Sequence, residues 1–369
     1  MAMLSGGQLV AKMLKAEGVK HIFTLSGLHI APIYAGCVEE GIQVIDTRHE
    51  QAAAHAADAY ARITRGVGVA VVTAGPGVTD ALTGVANAYQ ANSPMILLGG
   101  AAPTFNQSRG SLQEIEQVDL FHRISKWSDR VPTPELVPAY MAKAFRVALS
   151  GRPGPVFLEL AWDVLCNNVD ESTLKLPTHY RTNARQPPDP NKVDEALQLL
   201  ENAQRPAIIA GSSVYWDQAW EVLQLFAEKV QVPVFLNGAG RGCLPPGHPC
   251  FFQHTRKEAL TNADLVFVIG TPFDFRLNYG SEPTFSPDSK VVQIDIDPVE
   301  IGRNRVVDVG IIGDSFSALE AFAAGAAKGQ RSAYLEGLRA AEKKRSAGIA
   351  AWFNDDNPMT FNSADVDHI

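Results

Sequence analysis

The stretch Asp46-Thr-Arg-His-Glu50-Gln-Ala-Ala-Ala-His-Ala-Ala-Asp58 decides the fold class, because a β-branched run feeds directly into an alanine-rich one. Gln43, Val44 and Ile45 ahead of it read as a buried strand, and residues 52–62 behind it are strong helix formers. Glu50 therefore falls at a strand's carboxyl end and in a helix's first turn, the edge where open α/β sheets bind ligands. An acid there complements the positive end of the helix by about 0.3–1 kcal/mol, whatever else it does. The alanines around it, Ala52, Ala53, Ala54, Ala56 and Ala57, are small and uncharged, so a packed helix would leave this acid poorly solvated. A carboxyl held neutral in that way can donate a proton to a heteroaromatic ring.

Outward from that junction the pattern alternates. Strands are expected at 21–25, 43–48, 68–73 and 95–99, with helices near 30–40, 51–63 and 79–91 between them. A strand at 126–131, a helix at 134–149 and a strand at 154–160 complete a first domain, residues 1–178, with a doubly wound parallel sheet. The start, Ser5-Gly-Gly-Gln8-Leu9-Val10, reads as a capped amphipathic helix. Residues 179–192 are polar and carry Pro187, Pro188 and Pro190, which marks a linker. A second βα series follows at 193–325, with strands at 206–210, 233–236, 265–269 and 291–296 and helices at 193–202, 217–229 and near 255–261. Residues 326–351 read as an exposed linking helix.

Composition narrows the function classes. The 369 residues carry a formal net charge of −8 and no block of Lys and Arg, which argues against nucleic acid or an anionic membrane as partner. No apolar run reaches the roughly 20 residues of a membrane helix. Cys37, Cys166, Cys243 and Cys250 lack paired metal-ligand spacing and read as reduced, intracellular thiols. Small-molecule chemistry in the cytoplasm is the expectation.

Three residues converge on the carboxyl edge of the first sheet. His29 follows the turn Ser26-Gly27-Leu28, Glu50 follows the next strand, and Gln113 lies in the long connection after 95–99. His29 also suits a helix-start histidine bonded to backbone, and Gln113 a polar residue of a solvated turn. Thr73-Ala-Gly75-Pro76-Gly77, between a strand and a helix, would let backbone amides approach a phosphate or ring, although a tight turn needs the same glycines. In the second domain Ala210-Gly-Ser-Ser213 and Gly238-Ala-Gly-Arg-Gly242 do not complete a dinucleotide fingerprint. Asp295 and Asp297 suit ribose hydroxyls, and Asp297 before Pro298 equally suits a cap.

Taken together, Gly6-Gly-Gln-Leu-Val10, Phe23-Thr-Leu-Ser-Gly27, Asp46-Thr-Arg-His-Glu50, Val72-Thr-Ala-Gly-Pro-Gly77, Asn87-Ala88, Gly110-Ser-Leu-Gln-Glu114 and Gly154-Pro-Val-Phe157 resemble thiamine-diphosphate-dependent enzymes. The likeness runs along essentially the whole chain. It is nearest to the branch of benzaldehyde lyase, the 2-hydroxyacyl-CoA lyases and the acetolactate synthase-like proteins.

The resemblance implies a pyrimidine-binding domain, a Rossmann-like central domain and a third, diphosphate-binding domain. It implies that Glu50 protonates the cofactor's aminopyrimidine ring, that Gln113 bonds the adduct and that His29 moves a proton at the substrate hydroxyl. Gly27, Thr73, Gly75, Pro76, Gly77 and Asn87 would line the cofactor.

It further implies Mg2+, FAD or the ADP part of CoA in the central domain, a homodimer or homotetramer, and as substrate a 2-hydroxy ketone, an aldehyde or an acyl-CoA. The family's metal motif, Gly-Asp-Gly followed by Asn, is not matched by Gly313-Asp314-Ser315, so no metal ligand is expected in this chain. Pro358-Met-Thr-Phe-Asn362 resembles the opening of the third domain, which the chain as written would lack. The competing expectations are an acetolactate synthase and an inactive nucleotide-binding or assembly module.

Overall fold

A computed structural model describes residues 3–354, so the 358–362 stretch lies outside the described residues. The chain divides between Asn183 and Ala184 into two compact units. The first opens with β1 (Met3–Ser5), α1 (Gly6–Ala16), β2 (His21–Thr24), a 3-10 turn at Leu28–Ile30, α2 (Ala31–Glu39) and β3 (Gln43–Asp46). It continues through α3 (Glu50–Thr64), β4 (Gly68–Val72), α4 (Pro76–Gln90), β5 (Met95–Ala101), β6 (Trp127–Val131) and α5 (Val137–Leu149). It closes with β7 (Val156–Ala161), α6 (Trp162–Cys166) and β8 (Asn168–Asp170).

Six of these strands form a parallel sheet in the order β3-β2-β4-β5-β7-β6. Successive side chains point to opposite faces, and both faces are covered. Val69 and Val71 of β4 pack with Leu9, Ile33 and Phe145 of α1, α2 and α5. Ala70 and Val72 pack with Ala57 and Val85 of α3 and α4. The sheet is thus doubly wound.

Two details depart from the sequence reading. β3, expected to be buried, is the edge strand, with Gln43, Ile45 and Asp46 exposed, because β2 flanks it on one side only. The Ser5–Gln8 cap of α1 forms as expected, but Met3–Ser5 leading into it is a strand, β1, paired antiparallel with β8. Strands this short carry too few apolar residues to signal themselves.

The second unit runs through α7 (Pro190–Asn202), β9 (Pro206–Ala210), α8 (Ser212–Trp216), α9 (Trp220–Val230), β10 (Val234–Leu236) and α10 (Arg256–Asn262). It ends with β11 (Leu265–Ile269), β12 (Lys290–Asp295), β13 (Val309–Ile312), α11 (Ser315–Gly325) and α12 (Ser332–Asn354). Its five strands are parallel in the order β10-β9-β11-β12-β13. Ile208, Phe267 and Val292 pack with Leu197, Phe226 and Phe322 of α7, α9 and α11, while Ala207, Val266 and Val291 face Leu260 and Leu338.

The helix expected at 217–229 is α9, whereas the short helix α8 before it and the strand β13 were not anticipated. The helix read as an exposed linker is instead anchored. Leu338 is buried in the core, and the Glu342 carboxylate accepts backbone N–H bonds from Gln253, His254 and Thr255 at 2.9–3.1 Å. Among the described residues no helix is long and apolar enough to cross a membrane.

Candidate functional site

Glu50 opens α3. His49, extended at φ −162°, caps the helix by accepting the Gln51 N–H at 3.2 Å. The Thr47 hydroxyl donates to the Thr24 carbonyl at 3.0 Å, which pins the connection from β3 against β2. Glu50 itself is 7% exposed and has no side-chain hydrogen-bond partner among the described residues. A Cβ built on Gly77 would stand 3.2 Å from its Oε1 and 2.9 Å from Thr73 Cγ2, so the glycine keeps this space open. Burying a carboxyl without a partner costs free energy. The open floor and the buried acid, with the exposed His49 and Asp80 side chains within 4.8 Å of it, suit a flat heteroaromatic ring whose nitrogen meets the Glu50 carboxyl, so the residues present fit the pyrimidine of thiamine diphosphate.

His29, on the 3-10 turn after β2, is 3% exposed. Its Nδ1 lies 3.1 Å from the Thr73 hydroxyl, which in turn donates to Gln113 Oε1 over 3.4 Å. A hydroxyl has one proton to give. Thr73 therefore accepts from His29 Nδ1–H, which leaves the lone pair of the neutral imidazole on Nε2. Burial lowers the His29 pKa, which favours that neutral form. Gly27 is required beside this row, since a Cβ there would come 2.3 Å from Thr73 Cβ.

Gln113 reaches the row from a loop in which it adopts φ +58°. The loop is tied by Glu114, whose carboxylate accepts from the N–H groups of Ser108, Gly110 and Ser111, and these bonds hold its pKa below the usual carboxylate range. Gly75, the cap of α4, sits at φ +60°, and a Cβ there would lie 2.4 Å from the Gln113 carbonyl oxygen. Only glycine satisfies both demands. Pro76 follows at the first turn of α4, where its missing N–H costs nothing.

The sequence reading missed Gln117. It is 1% exposed, accepts the Gly75 N–H at 3.1 Å and donates to the Gly100 carbonyl at 2.7 Å. Ser111-Leu-Gln-Glu-Ile-Glu-Gln117 looks solvated in sequence, and only the return of the loop over β5 buries its last residue.

Asn87 is a correction. It lies ten residues beyond Gly77 on α4, about 15 Å along the helix. Its amide donates to Asp58 at 2.7 Å, where Arg62 makes two further bonds. Gly27, His29, Glu50, Thr73, Gly75, Pro76, Gly77 and Gln113 gather at one edge, and Asn87 does not.

In the second unit the corresponding edge is built from glycines, amides and hydroxyls. Gly270, at φ +61° after β11, packs on Ser213, where a Cβ would meet the Ser213 Cβ at 2.4 Å. Asn237 donates to the Thr271 hydroxyl at 3.1 Å, and Ser212 Oγ accepts from Ala239 N–H. Asp295 is buried and accepts from Asp297 N–H, and Asp297 caps the turn at Pro298–Glu300. Asp314 spends its carboxylate as the cap of α11 and on Gln186 N–H, a structural duty.

Comparison with known proteins finds a family match in each unit. Residues 4–120 match the N-terminal TPP binding domain of the thiamine pyrophosphate enzymes, and residues 193–322 match their central domain. An acetolactate synthase large subunit of Mycobacterium tuberculosis is 37% identical over 346 residues, covering 92% of this chain and 61% of that protein. A probable acetolactate synthase large subunit of Methanocaldococcus jannaschii is 38% identical over 326 residues, covering 86% and 55%. The human 2-hydroxyacyl-CoA lyase 2 is 39% identical over 321 residues, covering 78% and 50%. The chain thus spans half to three-fifths of the length of these curated relatives. With a partnerless acid at the head of α3 and both family domains matched in order, the chain belongs to the thiamine pyrophosphate enzymes.

Proposed function

We propose that these two units serve a thiamine-diphosphate-dependent carbon–carbon lyase or ligase. The substrate class is a 2-hydroxy ketone or 2-hydroxyacyl-CoA, cleaved to or joined from an aldehyde and an acyl fragment. The carrying observation is the buried, partnerless Glu50 carboxyl beside the row His29, Thr73, Gln113.

When bound, thiamine diphosphate supplies a carbon nucleophile and an electron sink. Glu50 would hold its pyrimidine and keep a proton at the ring nitrogen, while Gly27, Thr73, Gly75, Pro76 and Gly77 would form the floor. His29, with its lone pair on Nε2, is fitted to take or return the proton of a substrate hydroxyl. Gln113, whose Oε1 is engaged by Thr73, keeps its NH2 as donor for a substrate oxygen.

Mg2+ is proposed with the cofactor, with no ligand assigned to this chain. FAD or the ADP part of CoA is proposed at the edge lined by Ser212, Gly238, Thr271 and Asp295. A cytoplasmic homodimer or homotetramer, benzaldehyde lyase-like in its hydroxyl chemistry, completes the reading.

A second reading is an acetolactate synthase, favoured by the 37% identity over 346 residues to the mycobacterial subunit. Product analysis tests both. Full-length protein supplied with thiamine diphosphate and Mg2+ should release aldehyde from a 2-hydroxy ketone or 2-hydroxyacyl-CoA. Acetolactate from pyruvate, without aldehyde release, would replace the first reading by the second, and no turnover of either would sink both.

A further inference from the structure

Gln117 uses both ends of its carboxamide inside the first unit, and each end holds a backbone group pressed against a different candidate catalytic residue. Its Oε1 takes the N–H of Gly75, whose absent Cβ would collide with the Gln113 carbonyl oxygen at 2.4 Å. Its Nε2 gives to the carbonyl of Gly100, whose absent Cβ would collide with His29 Cβ at 2.7 Å. One side chain therefore ties two glycines that serve as contact surfaces for Gln113 and His29. The side chain is 1% exposed, so both bonds are made inside the packed unit.

We propose that Gln117 is a positioning residue that sets the spacing between His29 and Gln113. This rests on the functional reading given above. Other buried glutamines can bridge backbone groups for stability alone, and the second unit contains such a case. Gln293, fully buried on β12, donates to the Glu300 carbonyl and accepts from Gly302 N–H, both at 2.9 Å. It is the matched control.

The test compares Gln117→Met with Gln293→Met in the full-length protein, by thermal melting, by deuterium uptake at backbone amides and by steady-state kinetics. Both variants should melt at lower temperature. Gln117→Met alone should show faster exchange over residues 73–77 and a kcat per folded molecule about 100-fold below wild type, the scale expected of an ångström-sized misplacement. A kcat within about twofold of wild type, or a loss no greater than that of Gln293→Met, overturns the proposal.

Should Gln117→Met fail to fold, Gln117→Asn decides, since its uncharged carboxamide sits on a stem one carbon shorter and cannot reach both Gly75 and Gly100. Lost kcat in that variant supports the assignment, and retained kcat overturns it. A wild-type protein without thiamine-diphosphate-dependent turnover removes the functional reading alone, and the exchange comparison then decides the anchoring by itself.

Discussion

The carboxyl edges of the two sheets share one device and put it to different ends. Each has a glycine in the left-handed region just past a central strand, Gly75 at φ +60° and Gly270 at φ +61°, with the space its Cβ would fill already taken. At Gly75 the neighbour is the backbone of Gln113, on a long loop that also brings Gln117. At Gly270 it is Ser213, on the short helix α8. The first edge thus collects groups able to hold or move a proton, Glu50 and His29, whereas the second collects glycines, amides and hydroxyls suited to gripping a ligand, and its buried Asp295 carboxylate already accepts the Asp297 N–H. Architecture alone does not separate the two roles. The residue types delivered to the edge do.

The largest expected effect is at Glu50. Glu50→Gln should lower thiamine-diphosphate-dependent turnover at least about 100-fold, the lower end of what proton transfer by a positioned group contributes. Its melting temperature should stay near wild type, because no side-chain hydrogen bond is lost. Turnover within a factor of a few would erase the chemical distinction between the two edges.

The matched glycines come next. Gly75→Ala and Gly270→Ala should each cost about 1–3 kcal/mol in chemical denaturation, from a strained φ and a filled contact. Only Gly75→Ala should also reduce turnover per folded molecule. Equal kinetic loss in both would mean that the edges are not specialised as drawn.

A smaller effect is expected at Asn87. Asn87→Ala removes one hydrogen bond to Asp58 and should cost about 1 kcal/mol without changing cofactor affinity, measured by fluorescence titration. Weakened affinity would return Asn87 to the site.

The smallest effect is a slope rather than a step. Burial lowers the His29 pKa below its ordinary 6.5, so the unfolded chain binds that proton more readily than the folded one. The stability this group contributes is complete above about pH 6.5 and is lost as pH falls below it. Denaturation midpoints of His29→Gln should therefore fall less between pH 7 and pH 5 than those of wild type.

Much of this was legible because its signals are local. Buried parallel strands such as Val69 to Val72 show as apolar runs, and Glu50 and His29 stand at strand ends where a helix begins. Gln117 was illegible, because its burial comes from a chain return that no neighbouring residue encodes. Asn87 misled for the opposite reason. It lies on the right helix, but the three turns between it and Gly77 carry it to a different cluster. β13 escaped because four residues flanked by Asp308 and Gly313 resemble a turn, and it is the neighbouring β12 that makes them a strand.

The grip of α12 carries a consequence for dissecting the protein. A fragment of the second unit ending at Gly325 would keep every strand of its sheet, yet it would lose the Glu342 carboxylate that serves three amides at 253–255. It would also lose Arg339, which donates to the Phe251 and Pro249 carbonyls and lies over the Phe252 ring. The smallest piece able to refold on its own should therefore reach past Glu342, and proteolysis of the intact chain should spare the 248–255 segment for as long as that helix stays seated.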